Sequence, residues 1–69
     1  MNKDTFKGQW KQVKGKVKQQ WGKLTDDDLT RIEGNFDMLT GKLQEHYGLK
    51  REQAEKEIDA FMKKQNIRE

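Results

Sequence analysis

The chain has 69 residues, of which 30% are hydrophobic and 39% are charged, leaving about 21 apolar side chains for one small core. It contains neither Cys nor Ser, which excludes disulfides, thiolate metal sites and two common catalytic nucleophiles. We therefore expect a single domain over residues 1–69, near the lower size limit for folding without metals or disulfides, and no large enclosed active site.

The net charge of +3 is distributed unevenly along the chain. Residues 1–24 hold seven Lys and one Asp, a balance of +6, whereas residues 25–69 hold eight basic and eleven acidic residues, a balance of −3. Such asymmetry is typical of contact with nucleic acid, anionic lipid or an acidic partner, but it can also be satisfied within the fold. The N-terminus lacks the apolar run of a signal peptide, so we expect a cytoplasmic location.

Helix is favoured throughout, because Pro is absent and β-branched residues are few. In the first segment the apolar residues recur every three or four positions and form one stripe on a helix: Phe6, Trp10, Val13, Val17 and Trp21. We expect both Trp side chains in the core. Gly22 is placed to end this helix.

Three shorter helices are predicted after it. Thr25 and Asp28 have the spacing of a capping box, so a second helix should begin there, turn Leu29 and Ile32 inward and end near Gly34. The inward stripe of the third helix is predicted to be Phe36, Leu39, Leu43 and Tyr47, and Gly48 should end it. A fourth helix from about Lys50 should bury Ala54, Ile58, Phe61 and Met62.

An internal repeat organises these helices. Residues 8–22 align without gaps on residues 34–48, and glycines, aromatic residues and one Lys coincide at an offset of 26. The repeat predicts an all-α fold of four short helices as two packed hairpins, about 4–33 and about 34–66, related by a pseudo-two-fold.

Glycines occupy the helix faces opposite the apolar stripes. Gly8 and Gly15 lie opposite Trp10 and Val17, and the repeat places Gly34 and Gly41 likewise, so none of the four should serve core packing. Each interior glycine costs about 1 kcal/mol relative to Ala. Three interpretations stay open: close approach of a partner, a helix of deliberately marginal stability, and simple tolerance.

The lysines of the first helix also form a stripe, beside the apolar one. Together with Gly8 and Gly15 they make the candidate partner-contact face: Lys3, Lys7, Lys11, Lys14 and Lys18. Beside two Trp, such a stripe is typical of an interfacial amphipathic helix on anionic lipid, and it could equally follow nucleic-acid phosphates. A merely solvated helix face is the alternative.

No constellation of residues indicates catalysis. His46 is the only histidine, so we expect a solvated helix residue rather than a metal ligand or a base. Asp26, Asp27 and Asp28 lack the spacing of a calcium-binding loop and are better explained by helix capping. The glycines do not form a phosphate loop. We predict no enzyme, no catalytic or metal-binding residue, no cofactor and no small-molecule substrate.

The chain resembles the CsbD-like family of small bacterial proteins. The resemblance rests on Trp10 to Leu29, with its W-x-x-x-x-G-K and W-G-x-L-T-D-D-D elements, and on Gly41 to Ile58, and departs after about Phe61. It implies two roughly orthogonal hairpins similar to sterile-alpha-motif domains, a cytoplasmic protein associated with general or osmotic stress, and no catalytic residues. The composition also resembles that of hydrophilins.

These observations predict a non-enzymatic stress protein that protects or binds other macromolecules through its charged surface. One alternative is a membrane-surface or nucleic-acid binding module that uses the basic first helix. A protein–protein adaptor is another, because sterile-alpha-motif-like folds often assemble. The sequence identifies no particular partner and no oligomeric state.

Overall fold

The computed structural model describes residues 3–65 and contains four helices in that range: α1 Lys3–Gln20, α2 Asp26–Ile32, α3 Phe36–Tyr47 and α4 Arg51–Lys64. The predicted all-α class is confirmed. Helix α3 packs against α2 and α4, and α1 packs against α2 and α3. The predicted end of the second hairpin, at about residue 66, and both ends of the predicted domain lie outside the described residues.

One core joins the four apolar stripes. Phe6 is fully buried, with its ring 5.6 Å from that of Trp10 and 5.8 Å from that of Phe36, which it meets edge to face. Trp21 packs on Phe61 at 5.1 Å between ring centroids. The core prediction for both Trp side chains is confirmed, and of the residues predicted to face inward, Tyr47 alone is only half-buried.

The helix ends follow the predicted capping chemistry in most places. The Thr25 hydroxyl accepts a hydrogen bond from the Asp28 backbone N–H at 3.1 Å, and the Asp28 carboxylate accepts one from the Thr25 N–H at 3.0 Å. Gly48 ends α3 in the left-handed region at φ 67°. Gly22 lies in the turn after α1 but without a positive φ, which among the described residues occurs only at Glu33, Gly34 and Gly48.

The position of Gly34 contradicts the expectation that none of the four glycines serves core packing. It lies outside α3, with φ 81°, and a Cβ there would meet the Trp10 Cβ at 3.0 Å and the Lys7 Cα at 3.2 Å. Gly34 therefore permits close packing on α1, contrary to the expectation that it has no packing role. That expectation is confirmed for Gly8, Gly15 and Gly41, where a Cβ would have no neighbour within 4 Å.

The two aligned halves differ in the structure. Helix α1 has 18 residues and includes Gly8, whereas α3 has 12 and begins two residues after the equivalent Gly34. The first two turns of α1 thus have no helical counterpart in the second half. The pseudo-two-fold and the likeness to sterile-alpha-motif domains stay predictions.

Candidate functional site

The predicted lysine stripe lies on the exposed side of α1, but its two ends are used within the fold. Lys3 Nζ lies 3.0 Å from the Asp37 carboxylate at the start of α3. Lys18 pairs with Asp26 in the first turn of α2, and this hydrogen bond is the main reason that the Asp26 pKa lies below its usual value. Both ends of the stripe therefore attach α1 to neighbouring helices.

The middle of the stripe is different. Lys7, Lys11 and Lys14 are exposed, and within residues 3–65 none of them forms an ion pair with a carboxylate. Only the charge of Lys14 acts at longer range, as a small contribution to the lowered Asp26 pKa. These three residues, the central lysines, carry positive charge that the described part of the fold leaves largely uncompensated.

The central lysines border an open groove of about 420 Å³ between α1 and α2. Trp10 and Leu29 line it from the core, and Thr30 and Glu33 line it from the side of α2. Only 8% of Trp10 is exposed, so the groove reaches only a small part of its surface. The result is a shallow site with apolar residues at its base and three cationic side chains along one wall.

A second depression, of about 310 Å³, continues from this groove and shares Lys7 and Glu33 with it. It reaches Met38, which is 40% exposed and is the one large hydrophobic side chain exposed among the described residues. Arg31 also lines this depression, and its Nε donates a hydrogen bond to Asp27 at 2.8 Å. The second depression therefore adds one exposed apolar side chain to the basic groove.

Gly8 and Gly15, the other members of the predicted contact face, do not line this groove. Both face open space, because a Cβ at either position would find no atom within 4 Å. The structure therefore brings together the central lysines but leaves the two glycines outside the site. Their role as partner contacts stays a prediction.

The sequence interpretation does not predict a partly buried cluster of charged side chains around Asp28. His46 Nε2 lies 3.1 Å from Asp28 Oδ2, and Lys42 Nζ lies 3.5 Å from Asp28 Oδ1. The backbone N–H of Thr25 lowers the Asp28 pKa to about 2, and the His46 hydrogen bond assists, although burial opposes the shift. An ionised Asp28 only accepts hydrogen bonds, so His46 donates from Nε2.

The expectation that His46 is simply solvated is wrong, because it connects α3 to the capping box of α2. Lys42 belongs to the same cluster, and its pKa is raised chiefly by Glu45 and further by Asp28. Asp28 and His46 are 18 positions apart and come together only through the packing of α2 on α3. No periodicity or motif in the sequence indicates this contact, and its role is to hold two helices together.

The three consecutive aspartates serve the fold, as the capping interpretation predicts. Asp28 completes the capping box, while Asp26 and Asp27 pair with Lys18 and Arg31. In the part of the chain that the structure describes, no three His, Cys, Asp or Glu side chains are grouped in a way that could hold a metal ion. None of the helices between residues 3 and 65 is long and apolar enough to cross a membrane.

Fold and surface together define a small all-helical protein, with four helices between residues 3 and 65, a filled core, a highly charged exterior and an open basic groove. The chain belongs to the CsbD-like family, whose sequence model matches residues 4–56. It is 62% identical over 68 residues to the UPF0337 protein YjbJ of Escherichia coli O6:H1, covering 99% of both chains.

Two further relatives extend the comparison. The chain is 67% identical over 58 residues to YjbJ of Escherichia coli K12, covering 84% of each chain. It is 56% identical over 64 residues to the UPF0337 protein pc0632 of Protochlamydia amoebophila, covering 93% of this chain and 97% of the relative. The similarity therefore spans almost the whole helical domain.

Proposed function

We propose that this chain is a non-enzymatic stress-response protein of the cytoplasm, which protects other macromolecules by binding them through its charged surface. The observation that carries the proposal is the set of central lysines, Lys7, Lys11 and Lys14, which have no carboxylate partner among residues 3–65. A fold that pairs the two ends of a lysine stripe and leaves its middle free keeps that charge available for other molecules. Membership of the CsbD-like family and a mean hydropathy of −1.31 support an association with stress.

The proposed activity is tested by drying. A dehydration-sensitive tetrameric dehydrogenase is dried and rehydrated with the protein, and the recovered activity is compared with that given by an unrelated basic protein of equal size. We expect greater recovery with this protein. Equal recovery would contradict the proposal, since general effects of added protein would then account for it.

A matched pair of variants tests the role of the charged face. The double variant Lys7→Gln with Lys11→Gln should lose most of the protection, because it removes two of the three lysines that line the groove and that are unpaired among residues 3–65. Lys16→Gln with Lys50→Gln removes the same net charge from exposed positions that do not line the groove, and it should retain the protection. An equal loss in both variants would assign the effect to net charge alone.

A module that binds nucleic acid or a membrane surface is the second candidate, and the same three lysines favour it. On this alternative the lysines contact phosphate or lipid headgroups from outside, because the apolar stripe of α1 is buried and unavailable to acyl chains. Amide shifts on addition of duplex DNA or anionic vesicles at physiological salt test it. Their absence for both probes would remove this candidate.

A further inference from the structure

The two walls of the α1–α2 groove differ in chemistry. The α1 wall carries Lys7, Lys11 and Lys14, whereas the opposite wall is formed by Thr30 and Glu33. Trp10 and Leu29 lie at the base between them. Three lysines against one carboxylate leave the groove net positive, so a complementary occupant places anionic groups along the α1 wall, away from Glu33, and an apolar group into the groove.

The spacing of the lysines specifies the arrangement of those anionic groups. Lys7, Lys11 and Lys14 follow one another at intervals of four and three residues, so they span about 10 Å along α1. Acidic residues at intervals of three or four on a second helix have the same axial spacing. A helix lying along the groove could therefore place one carboxylate near each lysine while its apolar face covers Trp10 and Leu29.

We infer that the α1–α2 groove is a docking site for an acidic amphipathic helical segment of a partner protein. The inference rests on the proposed function, because it names the kind of partner that the charged surface binds. Charge complementarity with the central lysines supplies orientation and specificity, and an apolar side chain at the base adds contact with the small surface that Trp10 and Leu29 leave exposed, 8% and 2%. Met38, in the adjoining depression, provides a further apolar contact beyond Lys7.

The geometry favours a protein segment over the other polyanions. Single-stranded nucleic acid is held by stacking on aromatic faces, but Trp10 exposes only 8% of its surface. Three lysines would neutralise about three phosphates of a duplex, and Glu33 on the opposite wall would repel a second strand. An anionic membrane would gain about 1 kcal/mol from each lysine and nothing from the apolar base of a concave groove.

The test uses a synthetic peptide in which leucine recurs every three or four residues among glutamates, titrated into the complete ¹⁵N-labelled protein. We expect amide shifts to concentrate at Lys7, Lys11, Thr30 and Glu33, and Lys11→Glu to weaken binding about five-fold or more. Lys16→Glu is the matched control, because Lys16 is an exposed lysine of α1 that does not line the groove. It should change the affinity less than two-fold.

Three outcomes would overturn the inference. Equal weakening by Lys11→Glu and Lys16→Glu would assign binding to overall charge, and shifts spread over all four helices would show that the groove is not the site. Tighter binding at these residues by a duplex oligonucleotide or a phosphatidylglycerol vesicle than by the peptide would identify a different occupant. Circular dichroism of both variants ensures that lost binding is not lost folding.

Sedimentation of the protein alone, at the concentration of the titration, examines whether the occupant is a second copy. A monomer supports a separate partner, whereas self-association that the peptide competes away would overturn the assignment. The outcome of the peptide titration does not depend on the outcome of the drying experiment, so the docking site and the proposed function can fail separately. If the parent protein binds the peptide but does not protect the dried enzyme, the docking site stands and the proposed function is contradicted. If the parent protein does not bind the peptide, and the Lys11→Glu variant protects the enzyme as well as the parent does, only the docking site is contradicted.

Discussion

Gly34 lies so close to Trp10 that a Cβ on Gly34 would be 3.0 Å from the Cβ of Trp10. The backbone at Gly34 also has φ 81°, which disfavours any residue with a Cβ. Two separate constraints, one conformational and one steric, therefore require glycine where the chain passes between α2 and α3 against α1.

The first prediction compares equivalent glycines of the repeat. Gly34→Ala should lower the free energy of unfolding by about 2–3 kcal/mol, through backbone strain and overpacking against Trp10. Gly8→Ala, at the equivalent position, should raise it by about 0.5–1 kcal/mol, because that site is helical and open. Urea unfolding of both variants measures the two effects, and effects of the same sign would contradict this account of the glycines.

The second prediction concerns the capping box at the start of α2. Thr25→Ala removes the hydroxyl that accepts from the Asp28 N–H and should cost about 1 kcal/mol. Thr30→Ala is the matched control, since the Thr30 hydroxyl only donates to the Asp26 carbonyl within the helix at an exposed position. Thermal unfolding should show a clearly lower melting temperature for Thr25→Ala and little change for Thr30→Ala.

The third prediction concerns pH. The folded-state pKa of Asp28 is about 2, below the ordinary value of 3.8, so its contribution to stability is present above pH 3.8 and is lost as the pH falls through about 2. Asp28→Asn should therefore be less stable than the parent chain at neutral pH, and the difference should shrink on acidification. Urea unfolding at several pH values between about 6 and 2 measures this difference.

Asp27→Asn is the control for that experiment, because Asp27 is exposed, lies outside the capping box and, among residues 3–65, pairs only with Arg31 one turn away. The difference in the free energy of unfolding between Asp27→Asn and the parent chain should vary less over the same pH range. For Asp28→Asn, the contrary result is a difference in the free energy of unfolding that stays constant from neutral to acidic pH. That result would show that the charge of the Asp28 carboxylate does not stabilise α2.

The fourth prediction concerns Asp37, which connects three helices. Its carboxylate lies 3.0 Å from Lys3 Nζ in α1 and 3.1 Å from Arg51 Nη2 in α4. Because all three side chains are largely exposed, Asp37→Asn should cost only about 0.5–1 kcal/mol at low salt. At about 1 M NaCl, where screening acts within roughly 3 Å, most of this cost should disappear, and a cost independent of salt would contradict the electrostatic explanation.

The fifth prediction concerns the aromatic core. Phe6→Ala should cost about 3–5 kcal/mol, because the side chain is fully buried between Trp10 and Phe36. A chain of this length has roughly 3–10 kcal/mol of stability in total, so the variant should be largely unfolded near its physiological temperature. Met38→Ala, at the exposed apolar residue, should change stability by less than about 0.5 kcal/mol. Circular dichroism melting curves compare the two.

The sequence predicts the helices and the core well, because both follow from local periodicity. Phe6, Leu39 and Ile58 are buried where their stripes place them, and Thr25 begins α2 as its side chain predicts. The expected end of the second helix near Gly34 agrees with the structure, but the expectation that Gly34 has no packing role is wrong, because the repeat alignment equates it with the helical Gly8 while the structure places it in the turn before α3.

The candidate site was only partly predictable. The lysine stripe is a local pattern, but which of its members stay unpaired depends on where Asp26 and Asp37 are brought by the packing of other helices. The groove likewise requires α2 to lie beside α1, and the contact of His46 with Asp28 requires α3 to lie beside α2. Periodicity along one segment carries no information about these distances between segments.

The contact of Phe6 with both Trp10 and Phe36 connects the two halves of the repeat through a residue that lies outside the repeat itself. During synthesis Phe6 precedes Phe36 by thirty positions, so the beginning of α1 cannot complete its packing until α3 has emerged. A chain shortened to begin after Phe6 would retain every aligned position and still lack the side chain between its two equivalent aromatic rings. The two aligned segments alone do not close this interior, and the helical turns at the start of α1 supply the side chain that they lack.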